Sequence, residues 1–153
     1  MIKIVFLDVD GTLTDGKIYM SELGELFKAF NVKDGLGIKK LIANNIIPVV
    51  ITGRKSKIVE NRCKELGIKK IYQNISDKKS LVLKVLEEEK LSSSNAAYIG
   101  DDENDLEAMM VCSFSFSPSD ASQKVKDNAS YVLSLNGGEG CVREAIEYIL
   151  LNK

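Results

Sequence analysis

The sequence predicts an α/β protein built on a parallel sheet covered by helices on both faces. Short apolar runs such as "IKIVFL" (2–7), "IIPVVIT" (46–52) and "AAYIG" (96–100) are continuous rather than alternating, as in strands buried on two sides. Between them lie stretches with apolar residues at three- and four-residue spacing, the mark of one-sided helices. The two kinds of segment alternate to the end of the chain, which is the pattern of a parallel sheet with crossover helices.

The elements follow in order. The opening strand runs into "DVDGTLTDG", and "GKIYMSELGELFKAF" (16–30) reads as a β-hairpin turning at "SELGE". A helix over 35–45 places Ile38, Leu41 and Ile42 on one face, and the strand 46–52 carries Pro48 near its start, where a missing donor does least harm. Ile58, Val59, Cys63 and Leu66 form the stripe of a second helix, stopped by Gly67. "KKIYQ" is a short strand, and 77–90 a helix with Leu81, Val82, Val85 and Leu86 inward. After "AAYIG" comes the acidic "DDENDLEAMM". "SFSFS", a short helix from Ala121, "SYVLS" and a closing helix with Val142, Ala145, Ile146, Ile149 and Leu150 in register complete the chain.

The 153 residues suit one domain, taken here as 1–153 with the hairpin at about 16–31. A formal charge of −1 gives no electrostatic case for nucleic acid or an anionic membrane as partner. No apolar run approaches the roughly 20 residues that span a bilayer, and the start has none of the marks of a signal peptide. The three cysteines, Cys63, Cys112 and Cys141, show neither metal-like nor redox-like spacing and suit a reducing cytoplasm. There is no histidine, so acid–base chemistry must use carboxylate, lysine, tyrosine, cysteine or metal-bound water.

Open α/β sheets bind ligands beyond the carboxyl ends of their strands. Asp8, Thr52 and Asp101 each stand where a strand ends, and Lys78 opens a helix, so these scattered residues are expected to meet. Asp8 and Asp10 fall on one side if the strand persists through them. Two such carboxylates can divide attack on phosphorus from proton delivery, or they can be a solvated strand end with a cap. Gly11-Thr12 would let backbone N–H groups approach a phosphate. Asp101, Asp102 and Asp105 offer hard oxygens that suit Mg²⁺, or an acidic helix start favoured by the dipole. Thr52 and Gly53 can bind phosphate through hydroxyl and N–H, or form a plain turn. Lys78 or Lys79 can hold phosphate charge, or be solvated. Arg62 interrupts an apolar helix stripe; it either pairs with a carboxylate or points at an anionic substrate group. Arg54 and Arg143 are further candidates of that kind.

In this order, "DVDGT", "ITG", "DK" and "GDDEND" resemble the four motifs of the haloacid dehalogenase superfamily of aspartate-nucleophile phosphatases. "FLDVDGTLTDGKIY", "FNVKDGLGIKKL", "TGRKSKIVENRCKELGI", "YIGDDENDL" and "GGEGCVREAIEYIL" extend the likeness over nearly the whole chain, toward the phosphatases of 3-deoxy-D-manno-octulosonate 8-phosphate. The stretch "VCSFSFSPSDA" departs from the glycine- and alanine-rich segment common in such relatives. The resemblance implies a Rossmann-like sheet with a hairpin flap and no cap domain. It implies Asp8 as nucleophile, Asp10 as general acid then base, and Mg²⁺ held by Asp8, the Asp10 backbone carbonyl and Asp101, with Asp102 or Asp105 in support. Thr52 and Lys78 would bind the transferring phosphoryl group, Lys78 being favoured over Lys79 because it follows Asp77. Gly53, Arg54, Arg62 and Arg143 would face the acidic sugar. A homotetramer is implied, with "GGEGCVRE" approaching a neighbouring site. The alternatives are a nonulosonate 9-phosphate phosphatase and, in another class, a receiver-like phospho-accepting domain, against which the second aspartate at Asp10 speaks.

Overall fold

The structure, a computed structural model, describes residues 1–152. Its main sheet has the strand order β5-β4-β1-β6-β7-β8, and every neighbouring pair is parallel. The strands are β1 (Ile4–Leu7), β4 (Ile47–Ile51), β5 (Lys70–Tyr72), β6 (Ala96–Ile99), β7 (Phe114–Ser117) and β8 (Tyr131–Val132). A separate antiparallel hairpin, β2 (Tyr19–Ser21) and β3 (Gly24–Phe27), is the only strand structure between β1 and the first helix.

The helices are α1 (Val32–Ala43), α2 (Lys57–Leu66), α3 (Lys78–Glu88), α4 (Leu106–Val111), α5 (Gln123–Asn128) and α6 (Cys141–Leu151). Alternation along β1 divides the core between the two faces. Val5 and Leu7 join Ile38 of α1, Val59 of α2 and Ile146 of α6 in one apolar cluster. Ile4 and Phe6 join Val82 and Val85 of α3, Ala108 of α4 and Val125 of α5 in the other. The continuous apolar strands are therefore buried on both sides.

Two boundaries differ from expectation. Helix α1 starts at Val32 rather than Gly35, because the Asn31 side chain caps it by accepting from the Lys33 N–H at 2.8 Å. Val32 is exposed, so the apolar stripe does not reveal that first turn. The strand β1 ends at Leu7, and Asp8 and Asp10 are not related by strand alternation. The chain instead coils on Val9, whose carbonyl accepts from the N–H groups of Thr12, Leu13 and Thr14 at 3.2, 2.9 and 3.1 Å.

From β1 the chain proceeds outward to β4 and β5, then crosses back to β6, β7 and β8. The order thus reverses at β1, between β4 and β6, and ligands of open α/β sheets bind at such a switch point. Leu7 lies in register with Val50 on one side and Ile99 on the other. Asp8, Thr52 and Asp101 accordingly follow the ends of three adjacent strands.

Candidate active site

Asp8 is the first residue past β1 and is 5% exposed. Its Oδ1 accepts from the Lys78 ammonium at 2.7 Å, and the same ammonium donates to Asp105 Oδ1 at 2.7 Å. Lys78 points inward because it is the first residue of α3, while Asp77 before it turns back to cap the helix on the Ser80 N–H at 2.9 Å. Lys79 is half exposed and lies 3.8 Å from Glu107, so the two adjacent lysines have separate environments.

Asp8, Asp101 and Asp105 each bring a carboxylate oxygen within 4.8 Å of the others. Asp105 is wholly buried and fixed from four directions: by Lys78, by the Tyr98 hydroxyl at 2.7 Å, and by the N–H groups of Asp101 and Asp102 at 3.1 and 3.3 Å. Asp102 instead caps the short turn through the Glu103 N–H at 2.8 Å. Of the two supporting acids considered from the sequence, Asp105 is the one in the cluster. Its four-residue spacing from Asp101 was the available signal.

The electrostatics of the cluster are those of a site short of positive charge. Burial and the neighbouring Asp105 carboxylate push Asp8 well above its ordinary range, although Lys78 pulls it down. Burial, with Asp105 and Asp102 adding repulsion, pushes Asp101 up to about 6. Burial disfavours the Lys78 ammonium, but Asp8 and Asp105 outweigh it and raise Lys78 above its ordinary value. One buried cation faces three carboxylates, an arrangement that a divalent metal would relieve.

Gly11 has a steric reason besides its turn. Its N–H donates to Thr14 Oγ1 at 3.2 Å, and a Cβ there would stand 1.9 Å from Asp101 Oδ2. Its φ of +90° favours glycine, and a side chain there would also crowd the Asp101 carboxylate. The nucleophile loop is backed in turn by the "GGEGCVRE" segment. The Gly138 N–H donates to the Thr12 carbonyl at 3.1 Å, and a Cβ on Gly137 would lie 1.9 Å from the Gly11 carbonyl oxygen. That segment therefore packs against this chain's own loop.

Thr52 is buried at the end of β4, its hydroxyl accepting from the Arg54 N–H at 3.2 Å; Gly53 follows it. Arg54 is half exposed, 3.9 Å from Glu25 of the hairpin. Arg62 and Arg143 do not join the cluster. Arg62 donates to Glu65 at 2.9 Å and lies over the Phe30 ring at 5.9 Å; Arg143 donates to Glu147 at 2.6 Å. Both guanidinium groups thus pair with carboxylates on their own helices, while the buried Arg62 Nε has no hydrogen-bond partner among the described residues.

Asp10 stands apart from the three clustered carboxylates and meets the hairpin instead. Its Oδ1 accepts from Lys28 Nζ at 2.5 Å, and Lys28 lies 3.1 Å from Glu25 Oε2. Glu25 accepts from the Ser56 hydroxyl at 2.6 Å. Lys28 was not a candidate from the sequence, because a lysine just after a hairpin strand carries no signal until the hairpin is docked.

Hard-oxygen ligands and a buried lysine at the switch point of a parallel sheet, with no histidine, define a hydrolase of the carboxylate-and-metal, phosphoryl-transfer class. Comparison with known proteins makes this specific. A family model described as haloacid dehalogenase-like hydrolase matches residues 68–146. The 3-deoxy-D-manno-octulosonate 8-phosphate phosphatase of Salmonella typhi is 44% identical over 150 residues, covering 98% of this chain and 80% of the relative. The cobalt-bound phosphatase of the same kind from Haemophilus influenzae superposes with a TM-score of 0.95 at 41% identity, over 98% of this chain and 88% of that one. The Moraxella catarrhalis enzyme, solved with magnesium ion, phosphate ion and the sugar acid, gives 0.96 at 39% identity, over 99% and 87%. The chain belongs to the haloacid dehalogenase-like hydrolases, in the family of the 3-deoxy-D-manno-octulosonate 8-phosphate phosphatases.

Proposed function

We propose that this chain, acting as one domain, is a Mg²⁺-dependent phosphatase of 3-deoxy-D-manno-octulosonate 8-phosphate that works through a phosphoryl group carried on Asp8. The observation that carries this reading is the buried Asp8–Asp101–Asp105 cluster with Lys78, in a chain so similar to phosphatases of that substrate. The donor set fits magnesium: the oxygens are hard, negative charge exceeds the single ammonium, and Asp101 sits in the cradle left by Gly11. Asp8, Asp101 and the backbone carbonyl of Asp10 would hold the ion. When bound, it supplies positive charge against the oxygens of the transferring group.

The residues divide the work as follows. Asp8 attacks phosphorus while the bond to the sugar oxygen breaks, and Asp10 gives that oxygen its proton. Water then attacks the phosphorus of the aspartyl-phosphate and returns a proton to Asp10, as the bond to Asp8 breaks and phosphate leaves. Lys78 neutralises charge on the phosphoryl oxygens, and Thr52 and Gly53 hold them through hydroxyl and N–H. Arg54, at the exposed rim, meets the carboxylate of the sugar. Arg62 and Arg143, each paired along its own helix, are not assigned to substrate.

The working unit is a homotetramer in the cytoplasm. The hairpin exposes Met20, Leu23, Leu26 and Phe27, an apolar patch that a second copy would cover. The three cysteines are free and buried, as suits a reducing compartment. Among the described residues no helix is long and apolar enough to cross a membrane. An active monomer by size exclusion with light scattering would remove the assembly.

The deciting experiment for substrate is kcat/KM across a panel of sugar phosphates with Mg²⁺, with and without chelator. The eight-carbon keto-acid phosphate should rank first. A nine-carbon nonulosonate phosphate in first place would transfer the assignment, and inactivity toward both would overturn it.

A further inference from the structure

We infer that Lys28 is a positioning residue for proton transfer: it holds one oxygen of Asp10 so that the other carries the proton to the leaving group. This rests on the assignment of Asp10 as the acid.

The Lys28 side chain is 2% exposed although it belongs to the flap. Its ammonium lies between Asp10 Oδ1 at 2.5 Å and Glu25 Oε2 at 3.1 Å. An ammonium only donates and repels a proton on the oxygen it faces, so the hydrogen-bonded Asp10 Oδ1 is the poorer site for one. The proton of the acid form is therefore favoured on Oδ2, for which no protein donor occurs among the described residues. A carboxyl group free to rotate would offer the proton from either oxygen and in several directions. Pinned at Oδ1, it offers one.

Glu25 fixes Lys28 from the far side and is itself tied to Ser56, beyond the Thr52–Arg54 turn, at 2.6 Å. The chain Asp10–Lys28–Glu25–Ser56 joins the nucleophile loop, the hairpin and the phosphate-binding turn. A displacement of the hairpin must move the acid, so flap position and proton delivery are mechanically linked. Charge-assisted bonds of this kind hold geometry better than neutral ones.

The test separates proton delivery from general damage by changing the leaving group. An alkyl sugar oxygen needs a proton as it departs, whereas p-nitrophenolate leaves readily without one. The quantity is kcat/KM, which reports events up to loss of the leaving group. Lys28→Met should lower kcat/KM for the keto-sugar acid phosphate about tenfold to a hundredfold more than for p-nitrophenyl phosphate, a part of the usual general-acid contribution. Glu25→Gln, which loosens Lys28 without removing it, should shift the ratio the same way by less. Asp10→Asn is the reference. If it shows no preference for loss on the alkyl ester, the acid assignment itself fails. If Asp10→Asn shows that preference and Lys28→Met loses activity equally on both substrates, or not at all, the role of Lys28 is overturned while that of Asp10 stands.

Discussion

The Lys78 ammonium meets the Asp8 carboxylate at 2.7 Å, joining residues 70 positions apart in the chain. Among the described residues it is also the one cation bonded to the buried Asp105, so site assembly and local stability depend on the same side chain. Lys78→Met is expected to lower kcat by about a hundredfold or more, as removal of a charge-stabilising donor does. It should also destabilise the metal-free protein by roughly 3–5 kcal/mol, the usual cost of breaking a buried pair from one side. Activity assays and thermal melts with and without Mg²⁺ check both, and added Mg²⁺ should recover part of the stability but little of the rate.

Metal binding should depend on pH. Asp101 is pushed up to about 6 by burial and by its acidic neighbours, so protons and metal compete for the same oxygens. The apparent affinity for Mg²⁺ is expected to fall as pH drops through about 6, with protons released on binding. Calorimetric titrations in two buffers of different ionisation enthalpy measure that release. An affinity that does not change with pH over roughly pH 5 to 8 would contradict the competition.

Asp34 gives a second pH dependence, remote from the chemistry. It lies in the first turn of α1, yet its Oδ1 accepts from the Arg143 N–H at 2.9 Å and so caps α6, whose own cap residue is Gly140. Burial pushes Asp34 up to about 6 from 3.8, although the bonds from the α6 backbone oppose the rise. The native state then binds this proton at higher pH than the unfolded chain. Its contribution to stability is full below about pH 4 and is lost as pH rises through about 6. Asp34→Asn keeps the acceptor and should flatten the stability profile across that window. Asp34→Ala should lose the cap, at about 1 kcal/mol, in chemical denaturation.

Gly137 touches the nucleophile loop through backbone alone. Gly137→Ala would put a methyl 1.9 Å from the Gly11 carbonyl oxygen, so the loop or the segment must move. The expected cost is about 1–3 kcal/mol of stability, as for other overpacked sites, with a larger fractional loss in kcat than in KM. Unchanged kinetics would mean that the loop tolerates the shift.

Much of this site could be read before the structure. Asp8, Thr52, Asp101 and Lys78 were legible because strand and helix ends are marked locally, by apolar runs, glycine and a capping aspartate, and because a parallel sheet gathers strand ends on one edge. The rest depends on docking between distant segments. Lys28 reaches Asp10 only once the hairpin folds over the loop, and Asp34 caps a helix more than a hundred residues later. Gly11 was legible as a turn, but that its open side also makes room for Asp101 depends on the docking of two strand ends. Arg62 breaks its apolar stripe with a charge, which the sequence leaves between a carboxylate partner and a substrate group; its guanidinium meets Glu65, three residues on along the same helix.

In the proposed reaction, phosphate passes through Asp8. The most direct measurement is a rapid acid quench of the enzyme during turnover of its sugar phosphate, followed by peptide mass spectrometry. A phosphoryl adduct is expected on the peptide containing residues 4–12, located at Asp8, and none in Asp8→Asn, which should retain its fold and lose turnover. An adduct on another residue, or full turnover by Asp8→Asn with Mg²⁺ present, would contradict it.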